Sequence, residues 1–141
     1  MGLARLPDWD ARLADLVEGV RAVPFAWGAM DCCAFSAAAV RAVTGADLYA
    51  PWRGLYTSRA GAHRLQKRAG GLAHLVSSAL GDPILPAQAR RGDLVLIDNI
   101  PCEVPDRMGL GVCLGIVAAT TGPEGLRFAA MPRWRLAWRV G

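Results

Sequence analysis

Apolar residues recur with a helical period in the first half of the chain and gather in short runs in the second half. The first stripe lies between residues 8 and 22 and consists of Trp9, Leu13, Leu16, Val17 and Val20. This spacing predicts a helix with one buried face, with Asp8 as its N-cap and Pro24 beyond its end.

Three further helices follow from composition and stop signals. The alanine-rich stretch 32–43 runs up to Gly45, which predicts a helix that packs closely on its neighbours and ends at a glycine. A helix over residues 60–68 takes Thr57 or Ser58 as its cap. A short one over residues 72–79 stops before Gly81.

The second half of the chain has the pattern of strands. Compact apolar runs at 93–97, 110–118, 126–131 and 134–140 are separated by turn residues. Trp134 and Trp138 lie four residues apart and are expected on one sheet face, either packed there or as part of an interface patch. Helices followed by antiparallel strands predict an α+β fold, in a single domain over residues 1–141.

Composition narrows the function classes. The formal charge of +4 comes from scattered arginines and one lysine, without the basic and aromatic stripe of a nucleic-acid interface, so no nucleic-acid partner is predicted. The longest apolar run, 110–119, is too short for a membrane span. The first residues lack the pattern of a secretory signal, so synthesis and folding in the cytoplasm are expected.

The four cysteines, Cys32, Cys33, Cys102 and Cys113, do not have metal-ligand spacing. No metal, cofactor or disulfide is therefore predicted. Cys33, Cys102 and Cys113 are interpreted as small buried apolar residues.

Cys32 has a second interpretation. With Asp31 as the helix cap, Cys32 becomes the first residue of the alanine-rich helix, where the helix dipole favours a thiolate and free amides can bind an oxyanion. Position alone leaves both a nucleophile and a packing role open.

Three segments resemble the NlpC-type, papain-like cysteine peptidases. Trp27-Gly28-x-x-Asp31-Cys32-Cys33-Ala34-Phe35 is similar to the family's nucleophile motif, Arg91-Gly92-Asp93-Leu94 to its Gly-Asp-Leu strand, and the stretch 109–115 to the strand after it. The resemblance implies a papain-like fold, with N-terminal helices packed on an antiparallel sheet of about four to six strands. It also implies that Cys32 is the nucleophile.

The same resemblance places the catalytic histidine at Gly109, which has no side chain. The third member of the triad falls near residues 126–130, where only Arg127 is polar and cannot accept a proton. His63 and His74 are weak candidates for a substitute base, since both lie on predicted helices and are interpreted as helix-surface residues.

The chain also resembles small tail-tip proteins of phages and gene-transfer agents, through Thr44-Gly45-Ala46-Asp47, Arg53-Gly54-x-Tyr56 and Gly70-Gly71. This implies a structural component of a virion tail tip, a hub-associated adaptor or plug that contacts hub, distal-tail and host-contacting proteins. The alternative is an active peptidase or amidase that cleaves peptidoglycan peptides during cell-wall penetration, with Cys32 as nucleophile.

Overall fold

Four helices and a five-stranded antiparallel sheet form an α+β fold in the computed structural model, which describes residues 2–98 and 108–141. The helices are α1 (Trp9–Val20), α2 (Cys32–Thr44), α3 (Arg59–Arg68) and α4 (Leu72–Leu80). The strands are β1 (Leu94–Ile97), β2 (Gly109–Cys113), β3 (Val117–Thr120), β4 (Arg127–Ala130) and β5 (Trp134–Trp138). Single 3-10 turns lie at Pro86–Gln88 and Met131–Arg133.

Most helix ends coincide with the signals in the sequence. The Asp31 carboxylate accepts from the amide of Ala34 at the start of α2, and Gly45 ends that helix in a left-handed conformation. The Ser58 hydroxyl accepts from the amide of Gly61 and so caps α3, which settles the choice between Thr57 and Ser58. Asp8 occupies the cap position of α1, but its side chain makes no cap hydrogen bond, contrary to the prediction.

The sheet has the order β4-β3-β2-β1-β5, with every neighbouring pair antiparallel. The prediction of one long strand over residues 110–118 was wrong, because this run contains a hairpin. The chain turns at Gly115 (φ 121°), and the amide of Leu114 donates to the carbonyl of Val117 at 2.8 Å. Two short central strands therefore replace one.

Both faces of the sheet are covered. The face towards α1, α2 and α4 holds the larger core, which includes Phe35, Val40, Leu94 and Val112. The opposite face holds a smaller apolar cluster around Val95, Ile97 and Cys113. Cys113 is fully buried, as expected, Cys33 is half-buried rather than buried, and Cys102 lies outside the described residues.

Trp134 and Trp138 lie on opposite faces of the sheet, which corrects the prediction that they share one. A bulge between Leu96 and Ile97 pairs Ile97 with Trp134 and Leu96 with Leu136, so that alternation along β5 shifts by one residue. The Trp138 indole donates to the Ser77 hydroxyl of α4, on the helical side. Both indoles are buried, so they are core residues in the isolated chain.

The two ends of the chain are tied to the start of β1 by a buried carboxylate. Asp93 is completely buried and accepts from the Arg5 guanidinium at 3.0 Å and from the amides of Arg90 and Val140 at 2.9 Å each. The same guanidinium donates to the carbonyls of Arg91 and Val140 and lies over the ring of Trp9. A charge buried in this way is tolerated because donors surround it.

We expect Asp93→Ala to lower the free energy of unfolding by about 3–5 kcal/mol, because it leaves a half-buried guanidinium and buried amides without their acceptor. Asp10→Ala removes the exposed partner of Arg91 and serves as the matched control, with an expected cost of about 0–1 kcal/mol. Urea unfolding measures both. Similar losses for the two variants would contradict the assigned role of Asp93.

Candidate functional site

The site predicted from the sequence lies at the N-terminus of α2, beside the central strand β2. An extended residue, Asp31, ends the turn that follows Ala26 and begins the helix, so Cys32 is its first residue. The Cys32 side chain is only 6% exposed. The thiol thus faces the core next to the helix amides, which is both a packing position and a position that favours a thiolate.

Asp31 organises this corner of the molecule. Its carboxylate is 2% exposed and accepts from three different segments. One oxygen takes the amide of Ala34 at 2.8 Å, and the other takes the amide of Gly28 at 2.8 Å and the hydroxyl of Tyr56 at 2.6 Å. Asp31 is therefore the predicted helix cap, and it also joins the turn before α2 to the loop before α3.

Tyr49 and Tyr56 extend the network outwards. The Tyr49 hydroxyl donates to that of Tyr56 at 2.8 Å. Burial and the hydrogen bond to Asp31 raise the pKa of Tyr56 well above its usual value, so this phenol remains protonated and donates. Gly28 permits the close approach, since it has φ +79° and a Cβ there would lie 2.4 Å from the Tyr56 carbonyl oxygen.

The two adjacent thiols differ in acidity. A hydrogen bond from the Cys33 thiol lowers the pKa of Cys32 despite its burial, and backbone N–H groups of Leu110 and Cys33 act in the same direction. The same interaction with Cys32, together with burial, raises the pKa of Cys33 well above its usual value. Of the two thiols, Cys32 is therefore the one at which the surroundings favour a thiolate.

The strand beside Cys32 does not offer a base. A backbone N–H interaction with Leu110 is among the causes that lower the pKa of Cys32, and the residue before Leu110, Gly109, opens β2 opposite Ile97. Gly109 is the position at which the resemblance places a catalytic histidine. Gly109 has no side chain, so this position supplies no imidazole.

The two histidines of the chain lie on the third and fourth helices. His63 lies on α3 and His74 on α4, and both are exposed. Within the described residues, neither ring makes a hydrogen bond or an ion pair with Cys32. Their predicted place on helices is confirmed, and as substitute bases they remain untested.

The predicted third position also differs in the structure. Residues 126–130 contain β4, an edge strand, whereas the strand next to β2 is β3. The polar residue on β3 is Thr120, which is buried and donates from its hydroxyl to the Leu110 carbonyl at 2.9 Å. Thr120 therefore joins β3 to β2 beside Leu110.

Sequence reasoning missed Tyr49, Tyr56 and Thr120. Tyr56 was noted only within the element Arg53-Gly54-x-Tyr56, and nothing in the sequence indicated that its hydroxyl reaches Asp31, 25 residues earlier. Thr120 was missed because the strand that carries it was merged with β2.

A Tyr56→Phe variant should lose about 1.5–3 kcal/mol of unfolding free energy, because it deletes a hydrogen bond to a buried carboxylate. Tyr49→Phe is the control, since it deletes a bond between two neutral hydroxyls and should cost about 0.5–1.5 kcal/mol. Chemical unfolding at neutral pH decides the order. A Tyr49→Phe cost equal to or larger than that of Tyr56→Phe would contradict the network described above.

The raised pKa of Tyr56 also predicts an alkaline effect. A phenol whose folded pKa exceeds its unfolded value of about 10 contributes stability that is complete below that pH and is lost as the pH rises further. Wild type should thus lose stability above about pH 10 more steeply than Tyr56→Phe. Parallel pH profiles for the two proteins would show that Tyr56 ionises freely.

Over residues 2–98 and 108–141, no group of three or more His, Cys, Asp or Glu side chains is arranged to hold a metal ion. In the same ranges, no helix is long and apolar enough to cross a bilayer.

Comparison with known proteins gives a family without an assigned activity. Residues 4–140 match the family model described as Domain of unknown function (DUF6950). A comparison with curated proteins gives no match. Since this family model matches nearly the whole sequence, the chain belongs to the DUF6950 family.

Proposed function

We propose that this DUF6950 protein is a non-hydrolytic structural component of a phage or gene-transfer-agent tail tip. In this proposal it has a degenerate, papain-like NlpC fold and acts as an adaptor or plug at the tail hub. Its partners are the hub, distal-tail and host-contacting proteins of the virion. The tail-tip location rests on the sequence resemblance, and the loss of hydrolysis rests on the surroundings of Cys32.

One observation carries the non-hydrolytic part of the proposal. Cys32 is a buried thiol, and the position at which the resemblance places its catalytic histidine is a glycine, Gly109. Thiol hydrolysis of an amide needs a base to form the thiolate and an acid to protonate the departing amine. Gly109 has no side chain, and both histidines of the chain are exposed on α3 and α4. Removing such a base lowers rates by several orders of magnitude in well-studied hydrolases.

Asp31 is a poor replacement for the missing base. Both of its oxygens already accept hydrogen bonds from Gly28, Ala34 and Tyr56. Its negative charge raises the pKa of Cys32 rather than lowering it. The carboxylate thus has a structural role as the N-cap of α2, and it does not accept the thiol proton.

One observation favours the alternative, a cysteine peptidase or amidase that cleaves peptidoglycan peptides. The Cys32 pKa is lowered by the Cys33 thiol and by backbone N–H groups, so a thiolate forms more readily there than on an ordinary cysteine. In that reaction Cys32 attacks the carbonyl carbon, the amine leaves with a proton, and water then hydrolyses the thioester. The Cys33 thiol, which interacts with Cys32, would have to serve as the proton donor, but its raised pKa makes it a weak acid.

Fragment release from purified sacculi tests the two functions. The structural proposal predicts that wild type and Cys32→Ala, matched for folding by urea unfolding, both release no more muropeptide than buffer. Release by wild type that Cys32→Ala abolishes would establish the peptidase instead.

Complementation of a strain that lacks the gene for this protein distinguishes a role in particle assembly from a role in cell-wall cleavage. We expect Cys32→Ala to restore both particle assembly and infection, since the thiol is not needed in a structural part. Asp31→Ala should restore neither, because it removes the cap of α2 and the anchor of Tyr56. Normal particles that fail to infect with Cys32→Ala would contradict the proposal.

A further inference from the structure

A cavity of about 370 Å³ lies behind the candidate site, between α2, α3, α4 and the loop over residues 47–56. It is separate from Cys32, and the residue of the thiol pair that lines it is Cys33. The volume falls within the range of ligand-binding pockets, about 300–1,000 Å³.

The cavity is deep. Its wall runs from the outer loop through the helices to the sheet, and includes Pro51, Trp52, Ala62, Val76, Leu94 and Leu110. Leu94 and Leu110 belong to the central strands and are 4% exposed each. An occupant would therefore reach the core of the domain. This depth favours a small molecule over a side chain of a protein docked at the surface.

The wall is apolar, and most of its polar groups are already paired. The Tyr49 and Tyr56 hydroxyls bond in series to Asp31, and the Ser78 hydroxyl donates to the His74 carbonyl. Water in a cavity needs about 2–4 polar partners, so this wall is poorly suited to ordered water. An unfilled apolar space of this size also forfeits packing contacts along every wall residue.

The described wall residues offer an anion no cationic partner. Asp47 is the one charged residue among them, and Arg53 holds it through two hydrogen bonds at 2.9 and 3.1 Å. These bonds lower the pKa of Asp47, which therefore remains a carboxylate. Gln66 adds an uncharged polar group to the wall. Its side-chain amide makes no hydrogen bond to another described residue and so remains available to an occupant.

We propose that this cavity binds an uncharged aliphatic molecule that carries a single hydroxyl or amide group. The aliphatic part fills the space between Val76, Leu94 and Leu110, and the polar group meets the Gln66 amide or the acceptor lone pairs of the Tyr49 hydroxyl. The assignment does not depend on whether Cys32 is catalytic.

Two neighbouring alanines of α2 provide a matched pair of variants for the test. Ala37 lines the cavity and Ala38 does not, while both are half-buried. Ala37→Leu fills part of the space, and Ala38→Leu adds the same atoms elsewhere on the helix. Circular dichroism and urea unfolding verify that both variants fold, and Ala79→Leu, at another wall position, replaces Ala37→Leu if that variant does not.

Fluorescence titration with the uncharged probe N-phenyl-1-naphthylamine measures occupancy. We expect saturable binding of one probe per chain to wild type and Ala38→Leu, and at least about a tenfold loss of affinity in Ala37→Leu. We expect 1-decanol to displace the probe. Decanoate should compete with an affinity at least about tenfold lower, because its carboxylate would have to be desolvated near Asp47. Equal binding by the two variants, equal competition by the two ligands, or no saturable binding to wild type would overturn the proposal.

Discussion

The buried carboxylate of Asp31 is the interaction on which the candidate site depends. It accepts from Gly28 in the turn before α2, from Ala34 within α2 and from Tyr56 in the loop before α3. A carboxylate that is 2% exposed is stable there only while all these donors remain in place. One side chain thereby fixes where α2 begins, where Cys32 faces, and how the loop over residues 47–56 closes above the cavity.

Under the structural role that we propose, this dependence accounts for a nucleophile-like motif that serves the fold. The Asp-Cys pair at the start of α2 has a place in the fold, since Asp31 caps the helix and the Cys32 side chain fills a buried position. At position 109 the strand β2 pairs with Ile97 of β1 without any side chain. A capped helix, a buried thiol and a glycine at position 109 together support the structural role that we propose.

The fold was largely predictable where local chemistry determines it. The start of α2 at Cys32, its end at Gly45 and the cap at Ser58 follow from residue preferences within a single turn. The hairpin between β2 and β3 was hidden because its turn, at Gly115, lies inside an uninterrupted apolar run. The bulge that separates Trp134 from Trp138 depends on pairing with β1, which alternation along one strand cannot reveal.

The site was predictable only in part, for a similar reason. Cys32 and Asp31 are neighbours in sequence, so their relation to a helix end could be inferred. The Tyr56 hydroxyl reaches Asp31 across 25 residues, and Leu110 reaches Cys32 from a different half of the chain. Contacts of this kind arise from tertiary packing, and periodicity and capping rules do not contain them. The same holds for the cavity, whose wall comes from three helices, two strands and a loop.

The pH dependence of Cys32 alkylation tests most directly whether this thiol lacks an imidazole partner, as we propose. Iodoacetamide modification of Cys32, followed by peptide mass spectrometry from pH 5 to 10, gives the ionisation that governs reactivity. The account predicts one rise with pH, shifted upwards in Cys33→Ala because the neighbouring thiol no longer stabilises the thiolate. Full reactivity that persists below a histidine pKa of about 6.5, and is unchanged in Cys33→Ala, would show an ion-paired thiolate and contradict the account.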